Sequence, residues 1–110
     1  MNESEFNQLV DATLLAIEEA IDDSNSDIDY ENSSGILTLE FDDGSKIIIN
    51  RQTALLQLWV AAKSGGFHMD YNEADSLWQR ADNGEPLDTL LNRLCSEQAG
   101  DDVVLSLIKA

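Results

Sequence analysis

The chain has 110 residues, with 22 Asp or Glu against six Lys or Arg, and its net charge of −16 repels nucleic-acid phosphates and anionic lipid. A lone cysteine, Cys95, excludes an internal disulfide, and no apolar stretch is long enough to span a bilayer. With no basic, apolar leader at the start, the expectation is one domain over residues 1–110 in a reducing cytoplasm, with neither nucleic acid nor membrane as partner.

Asn2 can cap a helix, with Glu5 in the capping-box position three residues on. Phe6, Val10, Leu14, Ile17 and Ile21 then recur at three- and four-residue steps and predict one buried stripe. Asp11, Glu18 and Asp22 fall on another face, with Glu19 and Asp23 beside it, so carboxylates stack one turn apart toward the helix C-terminus. Acids there oppose the helix dipole, and like charges at i, i+4 cost a few tenths of a kcal/mol per pair, roughly.

After Ser24, Asn25 and Ser26 the period changes to two. Ile28 and Tyr30 point one way, while Asp27, Asp29 and Glu31 point the other, which marks a first strand. A turn is expected over 32–35, followed by a strand with Leu37, Leu39 and Phe41 inward, and a hairpin at Asp43 and Gly44. Lys46 to Gln52 reads as the next strand, with Ile47 and Ile49 inward and Lys46, Ile48, Asn50 and Gln52 outward. Leu56, Leu58, Val60 and Ala62 are expected on the inner face of a further strand, which puts Gln57, Trp59 and Lys63 outside. Ser64, Gly65 and Gly66 should turn the chain again, with Phe67, Met69 and Tyr71 then inward and His68 and Asp70 outward.

A short strand is expected around Leu77 and Trp78, ended by Asp82, Asn83 and Gly84. Pro86 suits the first turn of a second helix, in which Leu87, Leu90, Leu91, Leu94 and Cys95 repeat at helical spacing until Gly100 stops it. Val103, Val104, Leu105, Leu107 and Ile108 are expected to lie over an edge of the helix layer. One apolar face per strand and one stripe per helix predict an α+β fold, a two-layer sandwich with both helices on one face of a single antiparallel sheet of five to six strands. The other sheet face stays wet.

The charge is local. Met1 to Ser45 holds 13 of the 22 acids and none of the six bases. Glu18, Glu19, Asp22, Asp23, Asp27, Asp29 and Glu31 form an acidic ridge offering many hard carboxylate oxygens, the donors preferred by cations such as iron. Alternate strand residues lie about 6.6 Å apart, too far for short carboxylates to close on one ion, so any binding should be weak and partly hydrated. The ridge equally reads as a solvated face, or as a steering surface for a basic protein. Trp59 is either an exposed interface anchor or packs onto a neighbour such as Ile48. His68 and Asp70 are secondary metal candidates, with plain exposure as the alternative, and Cys95 is expected to be buried.

The acidic run Glu18 to Glu31, the segment Gly44 to Gln52 followed by Leu58 and Trp59, and the turn Lys63 to Asp70 together resemble the frataxin family in its bacterial form. The resemblance runs end to end. It implies a cytoplasmic, non-enzymatic protein, monomeric without metal, that binds iron weakly on the ridge, with other divalent cations able to substitute. It further implies regulation of iron–sulfur cluster assembly by docking on cysteine desulfurase and the scaffold protein, through Trp59, Asn50, Gln52, Glu18, Glu19 and Asp22. The competing reading is an acidic interaction module or nucleic-acid mimic with no metal role, although a mimic would spread carboxylates along the whole molecule.

Overall fold

The computed structural model describes residues 1–107. Helix α1 spans Glu3–Ser24 and helix α2 spans Leu87–Ala99. Between them run β1 (Asp29–Ser33), β2 (Ile36–Glu40), β3 (Lys46–Gln52), β4 (Gln57–Ala62), β5 (Gly65–Asn72) and β6 (Leu77–Arg80). The six strands form one sheet in sequential order, each antiparallel to the next.

α1 begins as its sequence dictates: the Glu5 amide donates to Asn2 Oδ1 at 2.8 Å and the Asn2 amide donates to Glu5 Oε1 at 3.1 Å. It ends on Asn25 in the left-handed region, one of the few residues besides glycine that enters it readily. The apolar stripe Phe6, Val10, Leu14, Ile17 and Ile21 is buried throughout. It meets Leu37, Leu39, Ile47, Ile49, Leu58, Val60 and Met69 from the sheet, and Leu87, Leu90, Leu91, Leu94 and Cys95 from α2, in one continuous core. Both helices therefore cover the same sheet face, and the other is left to solvent.

Trp78 of β6 closes the core. Its indole N–H donates to Thr13 Oγ1 of α1 at 3.0 Å, and its ring meets Phe6 and Tyr71 edge-on. A guanidinium fastens α1 to β3: Arg51 donates to Asn7 Oδ1 at 3.0 Å and to Asp11 Oδ1 at 2.6 Å. Gln98, near the end of α2, is the one buried polar residue among those described, and its amide reaches the start of β3 and the loop after β4, which lie side by side at one end of that strand pair.

Four local expectations change. The first hairpin turns at Ser34 and Gly35 alone, because a two-residue loop needs two consecutive positive φ values, here 54° and 79°, and Asn32 and Ser33 remain paired with Leu37 and Ile36. Leu56 is not a strand residue: a 3₁₀ turn, Thr53–Leu55, follows β3, and Leu56 closes it in the left-handed region at φ 51° before β4 starts. Gly65 and Gly66 belong to β5, since Ala62 pairs with Gly65 and leaves Lys63 and Ser64 as the loop. In the C-terminal segment Val103 and Leu105 are buried but Val104 is 72% exposed. An extended chain alternates its side chains, so it cannot bury consecutive residues on one support. Ser96 and Asn92 of α2 hold that segment by accepting from the Val103 and Leu105 amides at 2.9 and 2.6 Å. Ile108 lies outside the described residues.

Candidate metal and partner surface

The ridge forms where the C-terminal half of α1 runs beside β1, the first edge strand of the sheet. Glu18 is half-buried, whereas Glu19, Asp22, Asp23, Asp27, Asp29 and Glu31 are exposed. None of the seven pairs with a base among the described residues, although Asp11, Glu40, Asp43, Asp82, Glu85 and Glu97 all do.

Strand alternation divides the ridge. Tyr30 and Asn32 turn toward α1: the phenol O–H donates to both oxygens of Asp22 at 3.0 and 2.8 Å, and the Asn32 amide donates to Glu18 Oε2 at 3.1 Å. Asp29 and Glu31 point to the opposite side. There Asp29 pairs with Glu40 of β2, and Glu40 lies opposite Lys46, whose ammonium is 3.9 Å from it. Glu40 thus extends the acidic row across the sheet edge, which reading single strands does not reveal because it depends on register. The Asp22 carboxylate, by accepting its hydrogen bond, holds the Tyr30 phenol above the ordinary value of 10.0.

This arrangement is an open array rather than a cage. Among the described residues no three His, Cys, Asp or Glu side chains are arranged to hold one metal ion. The donor set is all hard oxygen, with Asp22 and Glu18 partly engaged by neutral donors, so it fits loosely held, hydrated cations and not a tightly coordinated one.

The second group of residues lies on the open sheet face. Asn50, Trp59 and His68 form one cross-strand row over β3, β4 and β5. Trp59 is half-buried because its ring lies flat on His68, with centroids 4.4 Å apart and planes at 11°. Its indole N–H donates to Gln57 Oε1 at 2.9 Å, and the Gln57 amide in turn donates to Asp70 Oδ1 at 3.0 Å. The two secondary metal candidates thus have separate partners: His68 the indole, Asp70 the glutamine. Asn50 is exposed and Gln52 half-buried. Cys95 lies in the core, where burial pushes its thiol up to about 12.

A family model described as a frataxin-like domain matches residues 1–101. The chain belongs to the frataxin-like family. It is 55% identical over 103 residues to the iron-sulfur cluster assembly protein CyaY of Pseudomonas aeruginosa, covering 94% of this chain and 95% of that one. It is 50% identical to the iron-sulfur cluster assembly protein CyaY of Vibrio cholerae, covering 94% and 97%. A solved structure of frataxin from Psychromonas ingrahamii, 38% identical, superposes with a TM-score of 0.89 over 99% of this chain and 100% of that chain. In this frataxin-like chain the ridge and the Trp59 row both sit outside the core. No helix is long and apolar enough to cross a membrane among the described residues.

Proposed function

We propose that this protein takes part in iron–sulfur cluster assembly as a regulator, docking on a cysteine desulfurase through its acidic ridge and carrying iron loosely on the same carboxylates. The observation that carries the proposal is the set of seven carboxylates at the end of α1, in the loop after it and along β1, none of them paired with a base among the described residues. Their summed field attracts a basic protein surface and orients its approach, while open oxygen donors suit iron held weakly with part of its water shell. Other divalent cations would compete. Membership in the frataxin-like family and the names of the curated relatives support the pathway.

Trp59, Asn50 and Gln52 would meet the scaffold protein or the desulfurase on the open sheet face, an aromatic among amides at the surface being a common interface anchor. The role is not enzymatic: the thiol of Cys95 is buried and mostly protonated, and the single histidine lies on an indole. Cytoplasmic residence and a metal-free monomer belong to the same reading. Because cation and partner share the ridge, iron occupancy should weaken docking by neutralising it.

The test is the rate of cluster formation on a scaffold by its desulfurase, with this protein or with a variant carrying Glu18→Lys, Glu19→Lys, Asp22→Lys and Asp23→Lys. The parent should change the rate, and the folded variant should not. Equal behaviour of the two would leave the ridge a solvated face and overturn the proposal.

A further inference from the structure

The Trp59 side chain is constrained twice on the open sheet face, outside the core. Stacking on His68 at 4.4 Å and 11° fixes the plane of the indole. The hydrogen bond from Nε1 to Gln57 Oε1 at 2.9 Å fixes its rotation within that plane. Gln57 could satisfy the indole only with its carbonyl oxygen, and the 3.0 Å bond from its Nε2 to Asp70 holds the amide in that orientation. The stack and the hydrogen bond together restrain the ring, with Asp70 acting through Gln57. Trp59 leans onto β5, away from its other cross-strand neighbour, Asn50 of β3, which stays exposed.

We propose that His68, supported by the Gln57–Asp70 pair, is the positioning residue for Trp59, holding the indole in its partner-binding orientation before the partner arrives. This rests on the reading of Trp59 as a docking residue. A large side chain that is free in the unbound protein must be ordered on binding, and ordering one such side chain weakens affinity by about two- to tenfold. The stack removes that loss in advance. It needs a flat ring at position 68 rather than an imidazole as such, so phenylalanine should substitute where alanine cannot.

The experiment follows the two indole N–H resonances by ¹⁵N relaxation in the full chain, without any partner. Trp78, buried and bonded to Thr13, is the internal control. In the parent the Trp59 indole should be as rigid as the backbone of β4. In His68→Ala it should become mobile while Trp78 does not change, and in His68→Phe rigidity should return. Asp70→Ala, which frees the Gln57 amide, should loosen it in part. Affinity for a desulfurase–scaffold complex should then fall about two- to tenfold in His68→Ala and recover in His68→Phe. An indole equally rigid in His68→Ala overturns the proposal, as does a mobile indole with unchanged affinity. A parent that does not bind the complex overturns the docking reading beneath it, and the partner-free relaxation data separate that failure from a failure of the stack.

Discussion

Replacing Gln98 with leucine should destabilise the fold far more than a single exposed-loop contact would. Gln98 is 9% exposed, and its carboxamide is fully used: Oε1 accepts from the Lys63 amide at 3.0 Å, and Nε2 donates to Ser45 Oγ at 2.9 Å and to the Lys46 carbonyl at 3.3 Å. One side chain thus ties α2 to the loop after β4 and to the start of β3. Leucine fills similar space and removes every one of these bonds. Ser45 can rotate its hydroxyl to water, but the part-buried Lys63 N–H is left without an acceptor. Counting about 1 kcal/mol for each of two bonds, and up to about 1 kcal/mol more for the orphaned donor, gives a loss of about 2–3 kcal/mol. With an unfolding entropy of about 2.1 cal/mol/K per residue, or about 230 cal/mol/K for the chain, Tm should fall by about 9–13 °C. Thermal unfolding followed by circular dichroism measures this directly. A fall of less than about 3 °C would show that water replaces the amide at no loss, and would refute the latch.

Arg51→Met should lower stability by about 1–2 kcal/mol in urea titration, the range discounted because Asp11 is 69% exposed, and a variant as stable as the parent would remove Arg51 as the clamp between α1 and β3. Glu85 accepts hydrogen bonds from Arg93 and Arg80, which hold its carboxyl below the ordinary value of 4.5. A depressed folded-state value gives stability that is present above the unfolded value and lost as pH falls through the folded one. Urea midpoints of the parent should therefore drop as the pH is lowered below 4.5, and Glu85→Gln should flatten the profile in that window. Cys95, buried with its thiol pushed up to about 12, should label with a thiol reagent only through unfolding, and labelling of the folded protein at a free-thiol rate would contradict its burial.

What could be read from the chain was whatever depends on periodicity within one element. The α1 stripe, its capping box, the bounds of β3 and the helical spacing of the leucines in α2 all follow from residues a few positions apart. What could not be read depends on partners distant in the chain. Gln98 looks like any polar residue on a helix until Lys46 and Lys63, 52 and 35 positions away, are brought to it. Arg51 has the same history, its partners Asn7 and Asp11 lying 44 and 40 positions back. At the candidate site, alternation placed Asp29 and Glu31 opposite Tyr30, but not Tyr30 on Asp22 or Asp29 beside Glu40. Those neighbours are set by how α1 crosses the edge strand and by the β1–β2 register. Trp59 and His68 were both assignable to the open face, while their stacking required the register of β4 on β5.

Docking through the acidic ridge is tested by the affinity of a cysteine desulfurase for this protein. It should be titrated with the parent and with the variant carrying Glu18→Lys, Glu19→Lys, Asp22→Lys and Asp23→Lys, at about 0.05 M and about 0.3 M salt. The parent should bind at low salt and weaken at high salt, and the folded variant should bind at least about tenfold more weakly at low salt. Affinities that coincide for the two proteins at both salt concentrations would rule out docking through the ridge.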